Sequence, residues 1–163
     1  MKNRKNFIVS ILAVASFITA PMLMPSLATA QMDNVKTSMA ALKAQTGKLG
    51  APKLQGSDLS FGNNKVSNDV VDAVVKAHGG VATLFVKSGD QFVRVATTLK
   101  KEDGSSAVGT ALAADSRAFA KLKNGEAYYG DARIFGKTYD TGYEPIKDAS
   151  GAVIGAYFVG YQK

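Results

Sequence analysis

The side chains that could do chemistry in this sequence are few, and they favour binding over catalysis. The chain has no cysteine and a single histidine, His78, so it has no cysteine nucleophile and no pair of histidine ligands for zinc. His78 precedes two glycines at the end of a predicted helix, where a cation interacts favourably with the helix dipole. No phosphate loop or dinucleotide fingerprint occurs. We therefore expect a protein that is not an enzyme and needs no metal or cofactor.

One arginine, Arg94, stands in the middle of a predicted strand. Alternation along residues 92–99 places Arg94 on one face with Phe92, Ala96 and Thr98. The position has two explanations. In the first, Arg94 lies on an exposed sheet face or forms a structural ion pair. In the second, its guanidinium group binds a ligand carboxylate. In the second case Thr98 is the hydroxyl partner expected beside a ligand bound at Arg94.

Tyrosine is the second candidate type, since five of the six tyrosines lie between residues 128 and 157. A tyrosine combines a flat apolar ring with one hydroxyl, which suits a small pocket for an organic acid. The alternative is that aromatic residues simply fill strands, and we prefer it for the two tyrosines nearest the C-terminus. Tyr139, Thr141 and Tyr143 share one face by alternation, so all three point toward the pocket or all three point away.

Two further basic residues lie near the same predicted edge. Lys137 belongs to a predicted Gly-Lys turn, where a solvated side chain and a contact at the pocket rim are equally good explanations. Arg133 either changes ligand specificity or lies on the surface. The candidate ligand-binding residues are thus Arg94, Thr98, Tyr129, Lys137, Tyr139 and Tyr143.

The elements that position these residues alternate between helices and strands. Helical periodicity, capping residues and glycine stops predict helices at about residues 31–48, from Ser67 or Asn68 to His78, and at 117–122. Strand-rich runs predict a small hairpin turning at 62–64, strands at 81–87, 91–99 and 126–135, and a terminal hairpin at 139–161, in which Pro145 ends the pairing of the first strand. This order predicts an α+β domain, an antiparallel sheet with helices on one side.

The N-terminus has the pattern of a secretory signal peptide. Three basic residues precede an unbroken apolar stretch of 14 residues and an Ala-Thr-Ala sequence at 28–30. A membrane-spanning helix needs about 20 apolar residues. We expect residues 1–30 to be removed after Ala30 and the protein to be periplasmic, with an N-terminal helix at 31–50 and one domain at 51–163.

The charge of the processed chain argues against nucleic acid as a partner. The net charge of the full sequence is +7, but the signal peptide contains three of its twenty basic residues and none of its thirteen acidic ones, so the remaining chain carries +4. No run of basic residues occurs in that part. The modest positive excess is compatible with an anionic ligand.

Several motifs together resemble a known family. Residues 82–87 (ATLFVK), 92–105 (FVRVATTLKKEDGS), 107–111 (AVGTA), 128–139 (YYGDARIFGKTY) and 143–155 (YEPIKDASGAVIG) resemble the single-Cache extracellular sensor domains of bacterial chemoreceptors. The Cache type 3/type 2 fusion group is the most similar. The resemblance covers about residues 81–160 in the expected order. It implies a PAS-like fold with a long N-terminal helix and about five antiparallel strands, whose concave face holds one small ligand, and it implies no enzymatic activity.

The resemblance leads to two functional hypotheses. In a receptor the last strand continues into a membrane helix, whereas here only two residues follow Tyr161, so we expect a freestanding sensor-type domain. The first hypothesis is that it binds a small anionic metabolite, such as a carboxylate or amino acid, and passes its occupancy to a membrane signalling protein. The second is a scaffold protein without ligand, with a homodimer or partner surface on the N-terminal helix. A pocket lined by Arg94 and two or more tyrosines favours binding, and a pocket plugged by side chains favours a scaffold.

Overall fold

A computed structural model of the protein describes residues 27–163, so most of the predicted signal peptide lies outside the described residues. The helices of this part are α1 (Leu27–Gly47), α2 (Asn68–His78) and α3 (Arg117–Lys123). Helix α1 begins before the predicted start at residue 31 and continues without a break past Ala30. Within residues 27–163, no helix has both the length and the apolar character needed to cross a membrane.

The strands form two sheets. The small sheet has the order β1-β2-β3, with β1 at Pro52–Gln55, β2 at Asp58–Phe61 and β3 at Asn64–Lys65. The turn predicted at 62–64 joins β2 to β3, but the longer hairpin is the one between β1 and β2. The large sheet contains β4 (Val81–Ser88), β5 (Gln91–Thr97), β6 (Tyr128–Ile134), β7 (Lys137–Lys147) and β8 (Val153–Gln162).

The large sheet has the strand order β5-β4-β8-β7-β6, and all its neighbouring strands are antiparallel. The predicted α+β architecture, with an N-terminal helix and a five-stranded antiparallel sheet, is confirmed. Helices α1 and α2 cover one face of this sheet, whereas the short helix α3 packs against the other, so the helices do not all lie on one side as predicted. We call these the helix face and the α3 face.

The helix face contains the larger apolar cluster. Val35, Met39 and Leu42 follow the helical repeat on α1 and are at most 1% exposed. They pack with valines of α2 and with side chains that β4 and β8 direct toward the helices. The two largest cavities lie on the α3 face.

A β-bulge interrupts β5 just after Arg94. The pairing changes from Leu84 opposite Ala96 to Phe85 opposite Arg94, so β5 contains one extra residue, Val95. Arg94 therefore points to the α3 face, whereas Ala96, two residues later, packs in the cluster of the helix face. The prediction of uninterrupted alternation over 92–99 is wrong, because a bulge exchanges the faces of all residues beyond it.

Strand β7 continues past the proline predicted to end its pairing. Pro145 lies opposite Ala156 of β8, and β7 runs on to Lys147. Strand β6 pairs with β7 only as far as Tyr143. Beyond that point β7 has one neighbour instead of two, and a strand edge tolerates a residue without an N–H donor.

We expect the contact between β4 and β8 to depend on Gly155. A methyl group at this position would lie 2.2 Å from the Phe85 carbonyl oxygen of the neighbouring strand, so Gly155→Ala should lower the free energy of unfolding by about 1–3 kcal/mol. Gly47→Ala is the matched control, because its methyl group would meet nothing within 4 Å and alanine is the better helix former. Urea unfolding of both variants measures the difference, and equal stabilities would contradict the predicted clash.

Candidate functional site

A cavity of about 370 Å³ opens on the α3 face of the large sheet. Its floor and walls come from distant parts of the chain: β5, the segment 111–118 that leads into α3, β6 with its turn, and β7. The side chains with polar or aromatic character that line it are Arg94, Asp115, Ser116, Arg117, Tyr128, Asp131, Arg133, Phe135 and Tyr143.

The backbone of Arg94 is held by a segment that runs along the outer edge of β5. The Arg94 N–H donates to the Thr110 carbonyl at 3.0 Å, and the Gly109 N–H donates to the Arg94 carbonyl at 2.8 Å. A further bond joins the Leu112 N–H to the Phe92 carbonyl at 2.8 Å. The segment satisfies the edge of the sheet and fixes the strand that carries the arginine.

The same segment binds one end of the arginine side chain. Arg94 Nη1 donates to Thr110 Oγ1 at 2.9 Å and to the Ala111 carbonyl at 3.0 Å. The guanidinium carbon lies 5.0 Å from the centre of the Phe85 ring and 5.4 Å from that of Phe135. Both rings attract the cation through their negatively polarised faces. The side chain is therefore fixed in position before any ligand arrives.

The charge of Arg94 is nevertheless only partly compensated. The residue is 4% exposed, and burial lowers the pKa of its guanidinium, while the nearby Tyr143 acts in the opposite direction. No carboxylate among residues 27–163 forms an ion pair with it. Arginine remains protonated at neutral pH despite such shifts. The cavity thus contains a buried positive charge without a counter-ion from the described chain.

The Nε atom of Arg94 is the group left without a partner. It is buried, and it is the only buried side-chain nitrogen or oxygen in the described part of the chain that makes no hydrogen bond. A buried N–H without an acceptor is unfavourable by about 1–3 kcal/mol. Guanidinium groups present their N–H donors as a planar fork that matches the two oxygens of a carboxylate. Such a group can bind an anion with two or more oxygens, for example a carboxylate.

Tyr143 supplies a second donor to the same cavity. It is 1% exposed and packs against Phe158, with ring centres 4.7 Å apart. Burial raises the pKa of its hydroxyl, an effect that Arg94 opposes, so the hydroxyl is protonated at neutral pH. Within residues 27–163 no side chain or backbone group hydrogen-bonds this hydroxyl. It is available to a ligand that Arg94 binds.

Phe135 reaches the site from a tight turn. Phe135 and Gly136 join β6 to β7 and have φ values of +45° and +78°. These angles fit a type I′ turn, which favours asparagine and glycine and rarely contains phenylalanine. The turn thus lies one residue earlier than the predicted Gly-Lys turn, and Lys137 begins β7. The unusual residue is explained by its ring, which closes the cavity over Arg94.

The lining of the cavity has a positive balance. Three arginines, at positions 94, 117 and 133, face two aspartates, Asp115 and Asp131. Asp131 is already neutralised by Lys163, whose Nζ lies 2.7 Å from its carboxylate. The electrostatic field of the cavity therefore favours an anion.

The predicted residues fall into three groups. Arg94 and Tyr143 line the cavity just described. Thr98, Lys137 and Tyr139 line a neighbouring cavity of about 550 Å³. The Thr98 hydroxyl also accepts from the Ala82 N–H at 3.0 Å, because the bulge in β5 turns Thr98 away from Arg94.

Tyr129 lies on the opposite, helix face of the sheet, away from both cavities. Its hydroxyl donates to a Glu144 carboxylate oxygen at 2.5 Å, and the same carboxylate pairs with Lys43 of α1 at 2.6 Å. These contacts attach α1 to the sheet. Tyr129 is therefore not part of the candidate site.

Sequence reasoning missed the parts of the site that come from loops. Thr110 belongs to a motif that resembles the family, but a loop position has no periodicity from which its contact with Arg94 could be predicted. The sequence predicts Arg117 only as the start of a helix and Phe135 only as the end of a strand. Among residues 27–163 there is no group of three acidic, histidine or cysteine side chains that could hold a metal.

Comparison with known proteins gives one family. The family model described as the Cache 3/Cache 2 fusion domain matches residues 23–163. No curated protein matches the sequence. Among solved structures, the chain is similar to the sensor domain of DcuS from E. coli, with 15% sequence identity and a TM-score of 0.48, over 81% of this chain and 85% of that one.

The uncompensated charge of Arg94 leads to a prediction for the ligand-free protein. Arg94→Met removes a buried cation while keeping most of its volume, so it should raise the free energy of unfolding by about 1 kcal/mol or more in a buffer without organic anions. Arg94→Lys keeps the charge and serves as the control, without that gain. Urea unfolding tests both, and a methionine variant that is less stable than wild type would contradict the interpretation of Arg94 as a residue kept for binding.

Proposed function

The chain belongs to the Cache 3/Cache 2 fusion domain family, and from this premise we propose that it is a periplasmic sensor-type domain that binds a small anionic metabolite, such as an organic acid, through Arg94. Domains of this family are extracytoplasmic sensors that bind small molecules and act in signalling. The observation that carries the proposal is the buried guanidinium of Arg94, a residue that lines the cavity and has no carboxylate partner in the described chain, and whose Nε makes no hydrogen bond.

The form of the cavity supports binding over the alternative of a ligand-free scaffold. A scaffold protein would fill the concave side of its sheet with side chains, since empty polar space destabilises a core. Here about 370 Å³ remains open, and its lining includes Arg94, Tyr128 and Tyr143. This volume lies within the range of small-molecule sites, about 300–1,000 Å³.

The donors indicate what the ligand carries. The Arg94 fork suits a planar carboxylate, and the Tyr143 hydroxyl can donate to the same group or to a neighbouring oxygen. The aromatic rings of Phe85 and Phe135 keep water away from the guanidinium, which strengthens a charge-assisted hydrogen bond. Arg117 and Arg133 add positive potential around this buried position. An organic acid or an amino acid satisfies these requirements.

The location and partner follow from the family and from the predicted signal peptide. A domain exported through a cleaved signal peptide would meet its ligand in the periplasm and would need a membrane signalling protein to report its occupancy. We propose both, and the described contacts of α1 give no support to a homodimer through that helix, because its apolar stripe is already buried against the sheet.

A thermal-shift screen of the purified protein against organic acids and amino acids tests the ligand class. A ligand that binds the folded state stabilises it by about 2.7 kcal/mol at 100 times its dissociation constant. Arg94→Ala should abolish the shift, because it removes both the charge and the fork. Lys76→Ala, on the helix side of the protein and without an ion pair among the described residues, should leave it unchanged. If Arg94→Ala responds as wild type does, the assigned site is wrong.

A matched pair of tyrosine variants tests the placement of the ligand. Tyr143→Phe removes a hydroxyl that opens on the cavity and should weaken the binding of a stabilising acid about fivefold to tenfold, the loss of one hydrogen bond. Tyr129→Phe removes a hydroxyl on the opposite face and should leave the affinity unchanged, although it breaks the bond to Glu144. Isothermal titration calorimetry measures both. A larger loss of affinity in Tyr129→Phe than in Tyr143→Phe would indicate that the ligand binds on the helix face and would contradict the proposed site.

A further inference from the structure

A second cavity lies beside the first and is built from different residues. It has a volume of about 550 Å³ and is formed by the β5–α3 loop at 98–104, the start of β7 and the end of β8. Phe135 is the one residue that lines both cavities. Its ring and the β6–β7 turn therefore form a wall between two separate spaces.

Tyr139 is the buried polar residue of this second cavity. The residue is 6% exposed, and burial raises the pKa of its hydroxyl, so the hydroxyl is protonated at neutral pH. It makes no hydrogen bond to any residue from 27 to 163. The hydroxyl is not among the buried side-chain atoms without a hydrogen bond, so it is accessible from the cavity and can donate to an acceptor bound there.

Three lysines surround the same space. Lys100 and Lys101 come from the β5–α3 loop, and Lys137 begins β7. None of them forms an ion pair within the described residues, and Glu102 is the one carboxylate that lines the cavity. Three positive charges and one negative charge around the same cavity favour the binding of an anion there.

The loop that carries two of the lysines has a defined shape. The Lys101 N–H donates to the Ser105 carbonyl at 2.8 Å, and the Gly104 N–H donates to the Lys101 carbonyl at 2.9 Å. A bridge between Lys100 and Ser106 closes the loop at its base. These bonds order the backbone of the loop, so less backbone entropy is lost when its lysines bind a ligand.

From these observations we propose that the second cavity is a binding site for a phosphate group, either free or as a monoester. Lysines are compact charges on flexible stems and bind the tetrahedral phosphate as point charges. Three lysines and one glutamate give the lining a net charge of +2, which a phosphate dianion balances. The hydroxyl of Tyr139 donates to one of the phosphate oxygens. This site goes beyond the proposed function and does not depend on Arg94.

The test is a titration of the full-length chain with inorganic phosphate at constant ionic strength, with chloride as the balancing anion. We expect saturable binding by calorimetry, and amide shifts in NMR spectra at residues 99–104 and 137–139. Lys137→Gln and Tyr139→Phe should each weaken phosphate binding about fivefold to tenfold, since each removes one donor to a charged acceptor. Both substitutions are conservative in volume and leave the strand pairing intact. Glycerol 3-phosphate, titrated in the same way, distinguishes the free ion from a monoester by its relative affinity.

Two controls make the outcome decisive. Lys76→Gln removes a lysine of the helix side and should leave phosphate binding unchanged, and so should Arg94→Ala. The proposal is overturned if no saturable binding is found, if Lys76→Gln weakens binding as much as Lys137→Gln does, or if only Arg94→Ala weakens it. The last result would place phosphate in the first cavity. A failure here would leave the response of the first cavity to organic acids intact, so the two proposals fail independently.

Discussion

The burial of one positive charge organises the α3 side of this protein. A guanidinium group taken out of water loses several kcal/mol of hydration, and Arg94 regains part of it from Thr110, from a backbone carbonyl and from two aromatic rings. Those partners come from the β5–α3 loop, from β4 and from the β6–β7 turn. The arginine thus contacts a loop, a strand and a turn that are far apart in the sequence. The one buried N–H that they leave without a hydrogen bond is that of Arg94 Nε.

This arrangement separates stability from function across the two faces of the sheet. The helix face is filled by the apolar stripes of α1 and α2, and the Lys43–Glu144–Tyr129 contact attaches α1 there. The α3 face keeps two open cavities, an unusual φ angle at Phe135 and polar groups without partners. Such departures from good packing are retained where a ligand compensates for them. Under the proposed function, the filled layer supports a second layer that holds the ligand.

Much of the scaffold could be predicted from the sequence, because its elements follow local rules. The valines of α2 and the stripe of α1 repeat at helical spacing, and the strands of the large sheet are rich in β-branched and aromatic residues between glycine turns. Arg94 was recognisable as a candidate because a charged residue in mid-strand needs a partner. The residues of the site were harder to predict from the sequence. Simple alternation does not hold beyond the bulge after Arg94, and Thr98 therefore lies beside the second cavity. Tyr129 is close in sequence to other tyrosines, but its side chain faces α1.

The sequence by itself determined the α+β class, the five strands and the family, since these depend on periodicity, turn residues and the order of motifs. It also determined which side chains were available for binding, and that cysteine and paired histidine chemistry was absent. Only the tertiary structure decided which of those side chains meet. Thr110 and Phe135 are brought to Arg94 by a loop along a sheet edge and by a turn of the opposite hairpin, and neither contact has a sequence period. Register shifts and loop paths depend on packing between distant segments, and that packing divided one predicted site into two cavities.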